Sequence, residues 1–315
     1  MIRGLFLPLG YLCNNNCIHC FLPYQDNQFS KSLGQIQEDL SKAKSIGIDR
    51  ISLTGGEPTI RKDIFDIIRL CKKIGFDIIQ IQTNGRMLSY RSFCEKLVRS
   101  GVNDFCISIH GHTAEIHDNI TQVKGSFSET VKGIENLMSM ASHLRREHIL
   151  ANLVISKFNY KFLPEIVEFF HAKGFNIIEL EYPRIMGNAS RHVDKIPSRT
   201  EAAKYIANAS KRADELGVDV LFVDDFPVCL SEGFYKNNAY LRHNPQKELN
   251  MSDDGIITDT EKGDKVHFSI CKHCAARQIC PGDWPEYEKY FGTSEFRPMT
   301  KDELKKIITE SVKHT

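Results

Sequence analysis

The apolar positions of this chain follow two rhythms in alternation. Short runs with an apolar residue at every second place, or nearly so, read as strands: Leu5–Leu12, Arg50–Thr54, Asp77–Thr83, Asp104–His110, His148–Ile155 and Ile177–Tyr182. Between them lie stretches with helical spacing: Gly34–Ile46, Asp63–Ile74, Tyr90–Ser100, Phe127–Ser142 and Tyr160–Lys173. Gly47, Gly75, Gly101 and Gly174 each stand just past one of these helices, where glycine closes the last turn in a left-handed conformation. Strand and helix in alternation imply right-handed βαβ units and a parallel sheet. The expected class is α/β, and six units predict a partial (β/α)6 barrel, short of the eight that close a full one.

After Pro183 the rhythm changes. Thr200–Leu216 reads as a helix, Val218–Val223 as a strand, Asp253-Asp254-Gly255 as a hairpin turn between short β-runs, and Lys301–Val312 as a terminal helix. The expected organisation is a barrel over residues 1–190 and a smaller α+β extension over 191–315.

Charge narrows the choice of partners. The 315 residues carry 41 Lys+Arg against 40 Asp+Glu, a net +1, without the basic excess of a nucleic-acid binder. No apolar run approaches the ~20 residues of a membrane span, and Met1-Ile2-Arg3-Gly4 opens no segment with a small-residue cleavage site. A soluble, cytoplasmic protein with neither a nucleic-acid nor a membrane partner is expected.

The unusual feature is ten cysteines, which in such a chain point to metal ligands or buried thiols rather than disulfides. They gather at both ends. Cys13-x3-Cys17-x2-Cys20 follows the first strand, and Cys271-x2-Cys274-x5-Cys280 lies near the C-terminus with Cys229 before it. Three thiolates on one loop suit a soft centre, iron–sulfur or zinc, and leave one coordination position for a remote residue or a small molecule. Cys71 and Cys94 fall in predicted helices and read as core thiols.

The first cysteine motif, with Thr54-Gly55-Gly56-Glu57-Pro58 after the second strand, Gln82-Thr83-Asn84-Gly85 after the third and Ser108 on the fourth, resembles the radical S-adenosylmethionine (SAM) enzymes over about residues 5–185. The resemblance implies a 4Fe-4S cluster on Cys13, Cys17 and Cys20 whose open iron is chelated by SAM. One electron from a reductase or flavodoxin-type donor would cleave SAM to methionine and a 5′-deoxyadenosyl radical, which abstracts a substrate hydrogen. It further implies that Gly55 and Gly56 let backbone approach SAM, that Glu57 pairs with its ammonium, and that Gln82, Asn84 and Ser108 contact the cofactor. His19 stands where the family commonly has another aromatic residue near the adenine. No arginine follows the fourth strand to hold the SAM carboxylate, which leaves Lys124 or Arg61 for that role.

Alternation supports this placement. Phe105, Ile107 and Ile109 would face outer helices, leaving Cys106, Ser108 and His110 inward. Asn152 faces inward on the fifth strand as a further SAM contact, and His110 is the expected substrate-side polar group, a plain structural hydrogen bond being the rival role for each.

The C-terminal motif resembles the SPASM or shortened twitch extension. Cys229, Cys271, Cys274 and Cys280 would saturate one auxiliary 4Fe-4S cluster, with structural zinc on the same thiolates as the rival. The cyclase of molybdenum-cofactor synthesis has a similar architecture, but its C-x2-C-x13-C spacing and glycine-rich tail are absent, and sulfatase-maturating relatives need more cysteines. The expected activity is modification of a ribosomally made peptide. The alternatives are oxidation or rearrangement of a carbohydrate- or nucleoside-like small molecule, and a non-enzymatic electron carrier or scaffold.

Overall fold

The strands pair in chain order. The computed structural model describes residues 4–22, 28–140, 144, 148–218, 220–224, 226–239, 241, 248–259 and 264–312; Ser142, Asp219 and Asp225 lie outside them. Strands β1 (Gly4–Pro8), β2 (Arg50–Thr54), β3 (Ile78–Thr83), β4 (Asp104–Ser108), β5 (Ile149–Val154), β6 (Ile177–Glu181) and β7 (Val220–Asp224) run parallel, each beside the next. Strand β8 (Glu248–Met251) pairs parallel with the other edge of β1, and β9 (Ile257–Asp259) antiparallel with β8. The result is one nine-stranded sheet of order β7-β6-β5-β4-β3-β2-β1-β8-β9. With right-handed crossovers, a sequential order puts every crossover helix on one face and leaves the other for a site.

Those helices are α1 (Leu33–Ser45), α2 (Ile64–Ile74), α3 (Arg91–Ser100), α4 (Ala114–Thr121), α5 (Ser126–Met138), α6 (Leu163–Ala172) and α7 (Arg199–Leu216). Capping boxes start α1 at Ser32 and α7 at Ser198, each satisfying backbone N–H groups that the first turn leaves unpaired. Ile51, Leu53, Ile81, Phe105, Ile107, Leu153, Ile178 and Leu180 are fully buried on the outer face. They join the helix residues Leu40, Ile67, Leu97, Leu137, Ile166 and Phe170 in one core. At ~25 cal/mol per Å² of apolar surface, this layer is the main source of stability.

Three expectations change. Strand β1 ends at Pro8 rather than Leu12, because the chain turns to pair Tyr11 N–H with Phe29 O at 3.0 Å and Gly10 with Ser30. Helix α4 was not expected; it is short, capped by Thr113, and buries only His117, Ile120 and Thr121. The strand and hairpin assigned to a separate extension instead continue the barrel sheet at both edges. The parallel register from β6 to β7 repeats the βαβ rule through α7, and β8 covers the otherwise open edge of β1. Two later helices, α8 (Pro285–Phe291) and α9 (Lys301–Val312), follow the second cysteine group. Among the described residues no helix is long and apolar enough to cross a membrane.

Candidate functional site

The inner face is polar and layered. Ser52 Oγ donates to Gln80 Oε1 and Gln80 Nε2 to Asp104 Oδ1, both at 2.7 Å, and one layer up Thr54 Oγ1 donates to Gln82 Oε1 at 2.7 Å. Register sets Gln82 beside Cys106, Ser108 beside Asn152, and Asn152 beside Glu179. The Asn152 amide donates to Glu179 Oε2 at 3.2 Å and to Glu181 Oε2 at 3.3 Å. These two glutamates were not foreseen, although the buried outer residues Ile178, Leu180 and Tyr182 flank them in strict alternation. Burial, and then the charge of Glu179, pushes the Cys106 thiol well up, so it stays protonated.

Four segments pin the first cysteine loop at the ends of these strands. Asn16 and Ile18 donate backbone N–H to Thr121 O and Ile120 O at 2.9 Å, holding the loop to the end of α4. Asn188 donates to Cys20 O through its backbone and to Cys17 O through its side chain, both at 2.8 Å. The Asn84 amide reaches Asn14 Oδ1 at 2.6 Å, and Arg86 bonds Asn14 O and, at 2.8 Å, Asn15 Oδ1. Gly56 N–H and Glu57 N–H meet Gly10 O at 2.7 Å and Leu12 O at 2.8 Å.

The last contact revises two expectations. A Cβ on Gly55 would stand 2.4 Å from Gly10 O, and one on Gly56 2.2 Å from Leu12 O, so the chain itself requires these glycines to dock the cysteine loop. The Glu57 carboxylate, expected to meet an ammonium, is 3% exposed and turned into the protein. It accepts from Thr59 N (3.0 Å), Thr59 Oγ1 (2.5 Å), Thr83 Oγ1 (2.7 Å) and Asn84 N (2.7 Å). Burial raises its pKa and these four bonds pull against that.

His110 also lies elsewhere than expected. It is 3% exposed, meets His19 edge-on with ring centroids 4.4 Å apart, and stacks on His117 at 5.8 Å. Ligating atoms of Cys17, His19 and His110 lie within 4.8 Å of one another. Its side chain thus belongs to the cysteine loop rather than to the open inner face. Burial lowers His19 and His117 to about 4 and His110 well below its usual value, so all three are neutral at pH 7. Burial lifts Cys13 to about 11 and raises Cys17 and Cys20 as well. Without a cation these are thiols; a bound metal supplies the charge that makes them thiolates.

The second group also assembles. Cys229, after β7, comes together with Cys271, Cys274 and Cys280 around a largely enclosed cavity that Phe268 and Asp283 also line. All four are half-buried free cysteines, whereas Cys71 and Cys94 are buried in the core. Among the described residues, Cys17, His19 and His110 are the one set of three or more ligating atoms within 4.8 Å of each other.

The profile of the Radical SAM superfamily matches residues 7–169. A "Probable GTP 3',8-cyclase" of Sulfurisphaera tokodaii is 29% identical over 224 residues, 69% of this chain and 66% of that protein. An "AdoMet-dependent heme synthase" of Methanosarcina barkeri is 37% identical over 130 residues, 40% of this chain and 36% of that protein. The chain thus spans less than two thirds of the length of the curated relatives it matches. Among solved structures, Streptococcus suis SuiB bound to S-adenosylmethionine aligns with a TM-score of 0.65 at 16% identity, covering 94% of this chain and 76% of that one. Native anSMEcpe with bound AdoMet aligns with a TM-score of 0.64 at 14% identity, covering 100% and 97%. At these identities the likeness is one of fold.

Proposed function

Because the chain belongs to the radical SAM superfamily, an enzyme family whose membership implies a 4Fe-4S cluster and SAM, we propose that Cys13, Cys17 and Cys20 ligate that cluster and that the polar inner face receives SAM and substrate. The observation that carries this reading is the loop itself: three soft donors, held by four separate segments at the strand ends, beside a layered polar face. When bound, the cluster and SAM supply one-electron cleavage and hydrogen abstraction. The chain supplies the rest. Asn84 and Arg86 fix the loop, the Gly55–Glu57 backbone faces the ligand, and Gln82, Ser108 and Asn152 offer hydrogen bonds. His19 adds an aromatic edge. An external reductase or flavodoxin-type protein delivers the electron.

Cys229, Cys271, Cys274 and Cys280 hold an auxiliary 4Fe-4S cluster of the SPASM or twitch type in this reading. Four thiols around one cavity match a cluster with no open iron. The C-terminal segment from about residue 191 would serve as the auxiliary domain, although its strands join the main sheet.

For the substrate, the reading is a ribosomally made peptide. Glu179 and Glu181 place two carboxylates on the inner face, bound to Asn152. They repel a nucleoside triphosphate and suit an amide, hydroxyl or cationic side chain. The second reading, a nucleoside-like small molecule, draws on the 29% identity to the cyclase-named relative. Anaerobically reconstituted protein with SAM and dithionite, offered peptides encoded near its gene in one arm and GTP in the other, separates them by mass spectrometry. A mass change in a peptide supports the first reading; a cyclised GTP product with unchanged peptides would replace it by the second.

A further inference from the structure

The buried imidazoles beside the cysteine loop have, apart from the ring of His19, no part in that reading. By distance alone Cys17, His19 and His110 suggest a cation site. The hydrogen bonds point elsewhere. Nδ1 of His110 accepts the backbone N–H of Val154 at 3.3 Å, so the neutral ring carries its proton on Nε2. A protonated ring nitrogen has no lone pair to give a metal; it is a donor. The tautomer is well held, because the Asn159 amide binds both Val154 O at 2.9 Å and His110 O at 3.0 Å, tying together the two backbone positions that set it. His117 is fixed in the same sense, its Nδ1 accepting the His110 backbone N–H at 3.1 Å. His19, in edge contact with His110 at 4.4 Å, has a buried Nε2 without a hydrogen-bond partner. The member of the set that can take the His110 Nε2–H is the sulfur of Cys17, within 4.8 Å of the imidazole.

We propose that His110 is a positioning residue for the N-terminal cluster: its Nε2–H donates to the Cys17 thiolate when it ligates iron and thereby sets the cluster's reduction potential. The inference rests on the cysteine assignment proposed above. Hydrogen bonds to a cluster sulfur stabilise the more negative, reduced state and raise the potential. Replacing the imidazole by a ring of similar size without N–H lowers it.

The test is a redox titration of the full-length, anaerobically reconstituted protein, monitored by electron paramagnetic resonance. It follows the signal that changes when SAM is added, which marks the cluster with the open iron. His110→Phe should keep wild-type iron content yet show the reduced-to-oxidised ratio at a fixed potential falling about tenfold, about 59 mV for one electron. His110→Gln, which returns an N–H, should recover much of the shift. A packing role would leave the midpoint in place, and an unmoved midpoint in His110→Phe would overturn the proposal. Should His110→Phe assemble no cluster, the midpoint of His110→Met decides on the same terms. Wild-type protein without a SAM-responsive cluster would instead refute the cysteine assignment, a failure distinct from a cluster whose potential ignores His110.

Discussion

Arg199 and Asp283 form a two-pronged ion pair in which each side chain is 1% exposed. Arg199 opens α7, and Asp283 lines the cavity of the C-terminal cysteines, so the pair fastens that cavity to the start of α7. The guanidinium also packs over the ring of Tyr182 at 4.0 Å and near Tyr287 at 5.1 Å. Removing one partner strands a buried charge, at a cost of about 3–5 kcal/mol. Asp283→Ala should lower the unfolding free energy by that amount in chemical denaturation. The double change Arg199→Met/Asp283→Leu should cost much less, because no charge is left alone. Equal losses in the two would mean that the pair itself, rather than the orphaned charge, is what matters.

Gly56→Ala tests the docking of the cysteine loop. The new methyl would meet backbone, Leu12 O at 2.2 Å, and backbone cannot rotate away as a side chain can. The expected outcome is a loss of more than about 2 kcal/mol together with reduced iron uptake at Cys13, Cys17 and Cys20. Gly47→Ala is the control: its φ is +81° but nothing lies within 4 Å, so the cost should be about 1 kcal/mol with normal iron. Equal iron content in the two variants would show that the loop does not depend on this contact.

Much of the inner face was legible because period-two alternation is a local signal. Once Phe105, Ile107 and Ile109 are assigned outward, Cys106 and Ser108 follow, whereas His110, past the end of β4, packs against His19 and His117. The same logic extended to Ile178, Leu180 and Tyr182 would have found Glu179 and Glu181. What could not be read locally were contacts between distant segments. The partner of Gly56 is Leu12, 44 positions away, and the donors to Glu57 come from Thr59, Thr83 and Asn84. A glycine pair and an acidic residue look the same in sequence whether they face a ligand or the chain. The strand at 220–224 is expected from its own pattern, but no local feature says which sheet edge it joins.

His117 makes stability fall in acid. Burial lowers its pKa from 6.5 to about 4 in the folded protein, while the unfolded chain protonates it near 6.5. Below that value the unfolded state holds a proton that the folded state refuses. Stability from this group is therefore whole above pH 6.5 and is lost as pH falls toward 4, at up to about 1.4 kcal/mol per pH unit. His117→Gln keeps an acceptor for the His110 N–H and cannot titrate. The wild-type stability relative to this variant, from urea unfolding at pH 7, 6 and 5, should shrink steadily as pH drops. A constant difference would mean that His117 is protonated alike in both states.

The last prediction concerns metal content. If both cysteine groups hold 4Fe-4S clusters, the reconstituted protein should contain about eight irons, four per cluster. Cys271→Ala/Cys274→Ala should leave about four and still cleave SAM, because the N-terminal loop draws its contacts from Gly55–Glu57, Asn84–Arg86, Ile120–Thr121 and Asn188 rather than from the second cavity. Changing Cys13, Cys17 and Cys20 together to Ala should reverse the pattern, abolishing 5′-deoxyadenosine formation while sparing the second cluster. The zinc alternative is testable without mutagenesis. Protein purified anaerobically with one zinc and about four irons per chain would assign the C-terminal site to zinc. Iron at both sites, with SAM cleavage intact but product lost in the Cys271→Ala/Cys274→Ala variant, would assign the second cluster to electron transfer during turnover.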